Sequence, residues 1–469
     1  MSLRREETVR RQLEEVLETL AQEGPASRRE RVSGLGAADA LACFEAGIES
    51  RLLDLEARSL KDRGEGFYTI GSAGHEANAI LGRQLRSTDP CLVHYRSGAF
   101  MAARAAQVPG ERFVYDTLLS LTASAEDPVS GGRHKVWGSR RMMVPPQTST
   151  IASHLPKATG MAFALERRAH LGLPMEIPKD SIVMASFGDA SANHASAVTA
   201  FNAAGWAQVQ YLPLPILYVC EDNGVGISVH TPEEWLPLNY ASRFGIPYHH
   251  VDGRDLPEAW ETVRRAIDNC RMRRQPTFLH LDVVRLMGHA GSDVELNYHE
   301  ELEILATEAK DPLLAWARYL CETGIATGQQ LLDRYHQIRE RVQRVSALAI
   351  TRPKLETLAE VVEPLRWPEW EAIRPAAEKC APPELRARLW GGDAQLPELD
   401  RPRHMAMQIS RALRDLLQQN HEILVFGEDV ARKGGVYHVT AGLYEAFGVG
   451  RVFNTLLDET MILGTAIGA

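Results

Sequence analysis

The chain has 469 residues, 45% of them hydrophobic, and 61 acidic against 52 basic side chains give a net charge of −9. That length suggests about three domains with buried cores, which excludes a disordered tail or a small disulfide scaffold. The acidic balance offers no broad positive field for a phosphate backbone, so nucleic acid is not the expected partner.

From Arg4 to Leu20 the positions Val9, Leu13, Val16, Leu17 and Leu20 recur at helical spacing between charges, which predicts an amphipathic helix in an N-terminal extension, residues 1–34. This end has no continuous apolar core of the secretory kind. The run Leu212 to Cys220, broken by prolines, is about half of the roughly 20 residues a bilayer requires. A cytoplasmic protein with no membrane partner is expected. A second helix is predicted over Ala37 to Lys61. Ser181 to Ser186 and Leu214 to Cys220 read as buried strands, joined by a helix from His194 to Val209 with Asn193 as its N-cap. Strand, helix, strand at this length is a parallel crossover, which puts both carboxyl ends on the sheet edge where open α/β folds bind ligands.

Further strands are expected at His249 to Val251 and Thr277 to Val284, then helices from Tyr298 to Thr323 and Thr327 to Ile350. Residues 35–350 therefore read as one α/β domain. Residues 351–404 hold eight prolines, the composition of a connector. Residues 405–469 open a second α/β domain with a helix from Met405 to Gln419 and a strand from Ile423 to Phe426. That domain is expected to be cut short at Ala469, after 65 residues. Six dispersed cysteines without a Cys-x-x-Cys pair indicate buried free thiols. The basic clusters Arg140-Arg141 and Arg271 to Arg274 read as solvated faces. Gly71-Ser72-Ala73-Gly74 lacks the Lys-Ser/Thr of a phosphate loop.

Chemistry concentrates just after the two central strands, at Gly188-Asp189-Ala190 and Asn223-Gly224-Val225. A carboxylate and an amide oxygen at neighbouring strand ends suit one hard cation, Mg²⁺ rather than zinc, with water and phosphate oxygens completing the octahedron. The competing reading makes Asp189 a helix cap and Asn223 part of an Asn-Gly turn.

Gly188-Asp189, Asn202 thirteen residues on, and the run Glu221 to Ser228 resemble the thiamine-diphosphate motif of the decarboxylating first component of 2-oxo acid dehydrogenase complexes, of the α-plus-β type. Gly74-His75-Glu76-Ala77, His94 to Gly98, Thr148 to Ala152 and Arg285 to His289 with Ser292-Asp293 follow in family order across roughly residues 37–345. Gly427 to Val430, Gly434-Gly435, Thr440, Gly442-Leu443 and Arg451 through Glu459 resemble the opening of the β subunit. The resemblance implies α fused to the start of β, a thiamine-diphosphate-binding α/β fold with a parallel sheet flanked by helices, and thiamine diphosphate with Mg²⁺ as cofactors.

By the same resemblance, Asp189, Asn223 and the carbonyl of Val225 hold the metal, and Tyr95 and Arg96 the diphosphate. Ser149 and Ile151 meet the aminopyrimidine, and Gly188 and Ala190 allow close backbone approach. His289 is the implied proton donor or acceptor near substrate. Glu459 is the implied acid on the pyrimidine nitrogen, favouring the imino tautomer that activates the thiazolium. Without the family, His289 is a loop histidine and Glu459 a solvated charge. The sequence departs from the pattern in four respects. Gly-Asp-Gly is Gly-Asp-Ala, which exchanges a permissive glycine for a residue that disfavours positive φ. The Asp189 to Asn223 spacing of 34 is a few residues long, with the excess expected in Trp206 to Leu214. Asn-Asn is Asp222-Asn223, and Thr-Pro-Leu is Thr455-Leu456-Leu457, without the proline's φ restraint. The family histidine after Gly132-Arg133 has His134 nearby, which receives no role.

The leading expectation is an oxidoreductase, a 2-oxo acid dehydrogenase of the acyl-transferring type that passes its acyl group to a lipoyl-bearing dihydrolipoyl acyltransferase in a multienzyme complex. Branched-chain 2-oxo acids, and hence branched-chain amino acid catabolism, are preferred because Ile227-Ser228-x-x-Thr231-Pro232 resembles that branch. Pyruvate or acetoin dehydrogenase components are alternatives within the class. A non-catalytic assembly protein on the same fold is the rival from another class, and a nucleotide-binding oxidoreductase is disfavoured by the lack of Gly-x-Gly-x-x-Gly. The fused chain is expected to form a homo-oligomer, and the 469-residue piece alone to be inactive.

Overall fold

Five parallel strands form the central sheet of this computed structural model, in the order Cys91–Leu92, Val183–Gly188, Ile216–Asp222, Thr277–Asp282, Tyr248–Asp252. Residues 5–23 and 34–469 are described; positions 1–4 and 24–33 of the expected extension lie outside the described residues. The strands are near-continuous apolar runs because helices cover both faces. On one face, Ala37–Asp62, Leu256–Arg273 and Pro312–Glu322 enclose a core with Phe44, Phe100 and Trp316. On the other, Leu155–His170 and the crossover helix Ala195–Val209 pack through alanines and Phe201 against Phe187, Tyr218 and Phe278. The fold is the parallel α/β sheet flanked by helices that the sequence predicts.

Local departures have physical causes. The crossover helix is capped by His194, whose Nδ1 accepts from the Ser196 amide at 3.4 Å, and not by Asn193. Asn193 instead ends the 3₁₀ turn Ala190–Asn193, its side-chain oxygen accepting from the Trp235 indole at 2.7 Å. The helix expected over Tyr298 to Thr323 is two, Glu301–Glu308 and Pro312–Glu322, because Asp311 caps the second and Pro312 starts it. Arg271 and Arg274 are not a solvated face. Arg271 grips the buried Asp89 carboxylate at 2.7 and 3.0 Å, and Arg274, left-handed at φ 50°, binds Glu166 and the Ser181 carbonyl. Four of the six free cysteines are buried; Cys321 is half-buried and Cys380 exposed. Among the described residues no helix is long and apolar enough to cross a membrane.

The N-terminal helix Arg5–Glu23 buries Val9, Leu13 and Leu17. It lies against Gly328–Ala349, where Tyr335 and Arg339 both reach Glu14 and a Cβ on Gly328 would meet the Leu20 carbonyl at 2.2 Å. Residues 351–404 hold short helices whose one buried side chain among the described residues is Ala381. Beyond them, the helix Met405–Gln419 and the paired strands Val425–Gly427 and Val452–Asn454 surround a small core of Leu417, Leu443 and Val452. The last helix, Glu459–Gly468, packs on Leu155–His170 with backbones nearly touching. A Cβ on Gly160 would lie 2.5 Å from Thr465 Cα, and one on Gly464 2.3 Å from Pro156 Cβ.

Candidate active site at the strand tips

Gly188 pairs with Glu221 across the two central strands, so Asp189 and Asn223 leave the sheet side by side. Asp189 is 2% exposed, accepts from the Thr231 hydroxyl, and also from the backbone N–H of Asn223. Burial, with Asp222 nearby, pushes its carboxyl up to about 6. It caps nothing: no side-chain cap bond joins it to the following turn. Asn223 does close an Asx turn, its Oδ1 accepting from the Val225 amide at 3.2 Å, with Gly224 at φ 74°. Ala190 opens its 3₁₀ turn without positive φ, so its methyl brings no backbone strain there. That methyl instead packs on Gly226, where a Cβ would approach it to 2.4 Å.

Beneath the tips lies a buried polar chain that assigns the Asn223 amide. His75 Nδ1 is 2.7 Å from Glu221 Oε2, and its Nε2 is 3.1 Å from Asn223 Nδ2. An amide nitrogen only donates, so His75 Nε2 accepts and Nδ1 carries the proton toward Glu221. Burial lowers His75 to about 4, which keeps it neutral in that tautomer. Burial raises Glu221, but His94 and His75 more than offset this and bring it to about 2. Asn78 donates to the same carboxylate at 3.1 Å. Glu76, next to His75, accepts from Gly74 N and pairs with the fully buried Arg51, which also forks onto Asp311 at 2.8 and 3.0 Å. The Gly74 loop is thus pinned to the capped helix behind it.

Tyr95, Arg96 and His289 come together. Arg96 Nη1 donates to the Gly71 carbonyl at 2.5 Å, and Nη2 lies 3.2 Å from both His289 Nδ1 and its carbonyl. Because a guanidinium only donates, His289 Nδ1 is the lone pair and its proton resides on Nε2. Burial and the charges of Arg96 and Arg285 depress His289 to about 4. The Tyr95 ring meets His289 edge-on at 6.2 Å. Asp293 fixes the loop by accepting from the His289 amide at 2.6 Å. Arg285 donates to the Ile227 carbonyl at 2.8 Å and to Tyr298 Oη at 2.9 Å. Arg96 and Arg285 are 4% and 5% exposed, and among the described residues neither has a carboxylate partner. Two buried guanidiniums with no carboxylate bonded to them, near a buried carboxylate and an oriented amide oxygen, fit a divalent ion bound to a diphosphate.

Ile151 borders Gly188, 3.7 Å from where a Cβ would stand. Ser149 faces His134 Nε2 at 3.4 Å, and Tyr68 meets the same imidazole edge-on at 6.3 Å. Lys135 is buried behind them with Nζ 3.0 Å from the centre of the Trp137 ring. Glu459 stands apart: its side chain is exposed at the start of the last helix. Asp458, the residue before it, caps that helix at 3.0 Å, restraining the turn that lacks the family proline. Asn202 is exposed on the crossover helix and bonded to Arg243. In the sequence His75, His94, Glu221 and Thr231 stand out only as parts of motifs, and His134 has no role. Lys135 is not singled out there, and Tyr298 only as the start of a predicted helix. A buried Glu-His pair contributed from positions 146 residues apart has no local pattern to reveal it.

The family profile described as Dehydrogenase E1 component matches residues 48–357, and that described as Transketolase, pyrimidine binding domain, matches residues 402–469. The chain belongs to the dehydrogenase E1 component family, whose cofactor is thiamine diphosphate, with an α-type portion followed by the opening of a pyrimidine-binding portion. It is similar to the 2-oxoisovalerate dehydrogenase subunit alpha of Bacillus subtilis (strain 168), 27% identical over 318 residues, which cover 66% of this chain and 90% of that protein. It is also similar to the chloroplastic pyruvate dehydrogenase E1 component subunit alpha-3 of Oryza sativa subsp. japonica, 32% identical over 209 residues, 43% of this chain and 47% of that one. With the mitochondrial somatic-form pyruvate dehydrogenase E1 subunit alpha of Homo sapiens it shares 25% identity over 289 residues, 60% and 67% of the two chains.

Proposed function

We propose that this protein is the thiamine-diphosphate-dependent component that decarboxylates a 2-oxo acid oxidatively and passes the acyl group to the lipoyl group of a dihydrolipoyl acyltransferase. In this reading residues 35–350 bind the diphosphate and metal, 351–404 connect, and 405–469 begin the pyrimidine-binding domain, after an extension over 1–34. The observation that carries it is the meeting of the Asp189 and Asn223 tips with two buried guanidiniums, Arg96 and Arg285, that have no carboxylate of their own.

Asp189, the Asn223 side-chain oxygen and the Val225 carbonyl hold Mg²⁺. Glu221 and His75 fix which end of the Asn223 amide turns toward it. Arg96, with Tyr95 beside it and Arg285 behind, takes the diphosphate. Ser149, Ile151, Gly188 and Ala190 line the aminopyrimidine, and Glu459 hydrogen-bonds its ring nitrogen. When bound, thiamine diphosphate supplies the nucleophilic carbon and the electron sink for loss of carbon dioxide. His289, neutral with its single proton on Nε2, donates a hydrogen bond to an anionic oxygen and carries no second proton in the resting site.

A branched-chain acid is the preferred substrate, supported by Ile227-Ser228-x-x-Thr231-Pro232 and by the match to a 2-oxoisovalerate dehydrogenase subunit over 90% of its length. The chain works as a homo-oligomer, which gives the exposed Glu459 a second copy's site to serve. Calorimetry of thiamine diphosphate binding, with and without magnesium, tests the reading, with Trp137, bonded to the Tyr95 carbonyl, as a fluorescent reporter. Saturable, magnesium-dependent binding supports it, and no binding with excess magnesium overturns it. A panel of 2-oxo acids assayed with an artificial electron acceptor then ranks branched-chain acids against pyruvate.

A further inference from the structure

The edge strand Tyr248–Asp252 and its inner neighbour Thr277–Asp282 each carry a His-x-Asp triplet, and the two are in register. His250-Val251-Asp252 lies beside His280-Leu281-Asp282, with His250 opposite His280 and Asp252 opposite Asp282. Residues two apart on a strand share a face, so both histidines and Asp282 point the same way at the carboxyl end of the sheet. The imidazoles stack at 4.2 Å and 17°, with both Nε2 atoms turned to one carboxylate. His250 Nε2 lies 2.9 and 3.0 Å from the two oxygens of Asp282, and His280 Nε2 lies 3.2 Å from the nearer one. Asp222, on the next strand, places an oxygen 2.9 Å from the same His280 nitrogen.

We propose that His250, His280 and Asp282 form a binding site for a divalent transition cation of the zinc class. Bonds of about 2.0–2.1 Å in a tetrahedron set neighbouring ligand atoms roughly 3.3 Å apart, and each imidazole nitrogen already stands at nearly that spacing from the Asp282 carboxylate. The imidazole that binds is also braced: His280 Nδ1 is 2.6 Å from the Tyr248 hydroxyl, the outer contact that fixes tautomer and ring orientation at metal sites. Strand backbone on two neighbouring segments supplies all three groups; because an imidazole binds through its in-plane lone pair, the exposed His250 ring turns out of the stack to bind while the buried His280 and the backbone stay fixed. His280 is buried, while His250 and Asp282 are partly open to solvent, which gives the ion an entry path and leaves a fourth position for water or Asp222. Two imidazole nitrogens select zinc, cobalt or nickel over magnesium. The site uses none of Asp189, Asn223 and Val225 and stands whether or not the cofactor reading does.

The experiment is titration of chelator-treated full chain with Zn²⁺ by calorimetry, in excess Mg²⁺, and with Co²⁺ by visible absorption. One saturable equivalent of zinc and d–d absorption from a four- or five-coordinate cobalt centre are expected. His250→Ala and Asp282→Asn should each weaken zinc binding by more than about tenfold, with the melting of the metal-free protein unchanged because both side chains are on the surface. His230→Ala, which removes a histidine beside His299 and Glu303, should leave zinc binding intact. No saturable uptake, equal uptake by wild type and His250→Ala, or loss of uptake in His230→Ala overturns the proposal.

Discussion

The diphosphate edge of the sheet and the C-terminal 65 residues meet the same cofactor in the proposed function, yet they are built differently. At the edge every functional group is held by a second one: Asn223 by His75, His75 by Glu221, His289 by Asp293 and Arg96. In the C-terminal part a helix packed on Leu155–His170 presents one exposed acid at its start, and no hydrogen bond or ion pair among the described residues holds that side chain. The first is an anchor with its geometry set in advance, and the second is a fixed helix start whose exposed carboxylate is free to change rotamer. Binding energy should therefore reside at the edge and proton chemistry at Glu459.

The sharpest break of that division is Glu459→Gln. Exchange of the thiazolium C2 proton of bound cofactor, followed by NMR, is expected to slow by about 10²–10⁴-fold, the range for loss of an acid–base group. Cofactor affinity should change by less than about fivefold, since an exposed charge is worth about 0–1 kcal/mol. A large loss of affinity with normal exchange would reverse the assignment of the two regions.

At the edge the order of effects follows distance from the metal. Asp189→Asn should weaken magnesium-dependent binding by more than about 100-fold, beyond what loss of an outer-shell partner costs. His75→Ala, which frees the Asn223 amide to rotate, should weaken it by about 10–100-fold. His75→Gln carries an acceptor for Asn223 and a donor for Glu221 and is expected to recover most of the loss. Calorimetry across magnesium concentrations reads all three. If His75→Ala lowers melting temperature but leaves magnesium dependence unchanged, His75 is a packing residue only.

What the sequence disclosed follows the same division. Strands, crossover and loop motifs are local patterns, so Asp189, Asn223, Tyr95, Arg96 and His289 are legible in one dimension, and the structure gathers them at one edge. The wiring beneath is not: Glu221 and His75 meet through sheet pairing, and Arg51 reaches Asp311 from 260 residues away. The basic cluster at Arg271 to Arg274 misleads for the same reason, because its partners Asp89 and Glu166 arrive from distant segments. Substitutions were readable as departures but not in their consequences. Ala190 brings no strain because its turn has negative φ, and Asp222 finds His280 across the sheet.

Lys135 provides the smallest effect and separates anchoring from burial. Burial pushes its ammonium down to about 7, partly offset by Asp54 and Asp127, against 10.5 for an ordinary lysine. With the folded pKa depressed, the unfolded chain takes up the proton first as pH falls from about 10.5. The stability lost on that descent is lost in full once pH drops below about 7. Lys135→Met removes the titrating group and keeps the apolar stem, so its melting temperature should exceed that of the wild type, most at pH below 7 and least near pH 10. Because Lys135 lies behind Ser149 and Trp137, away from the Asp189 tip, magnesium-dependent cofactor affinity should stay unchanged. A gain in melting temperature that is equal at all pH values would mean that packing, not the cost of a buried charge, sets the difference.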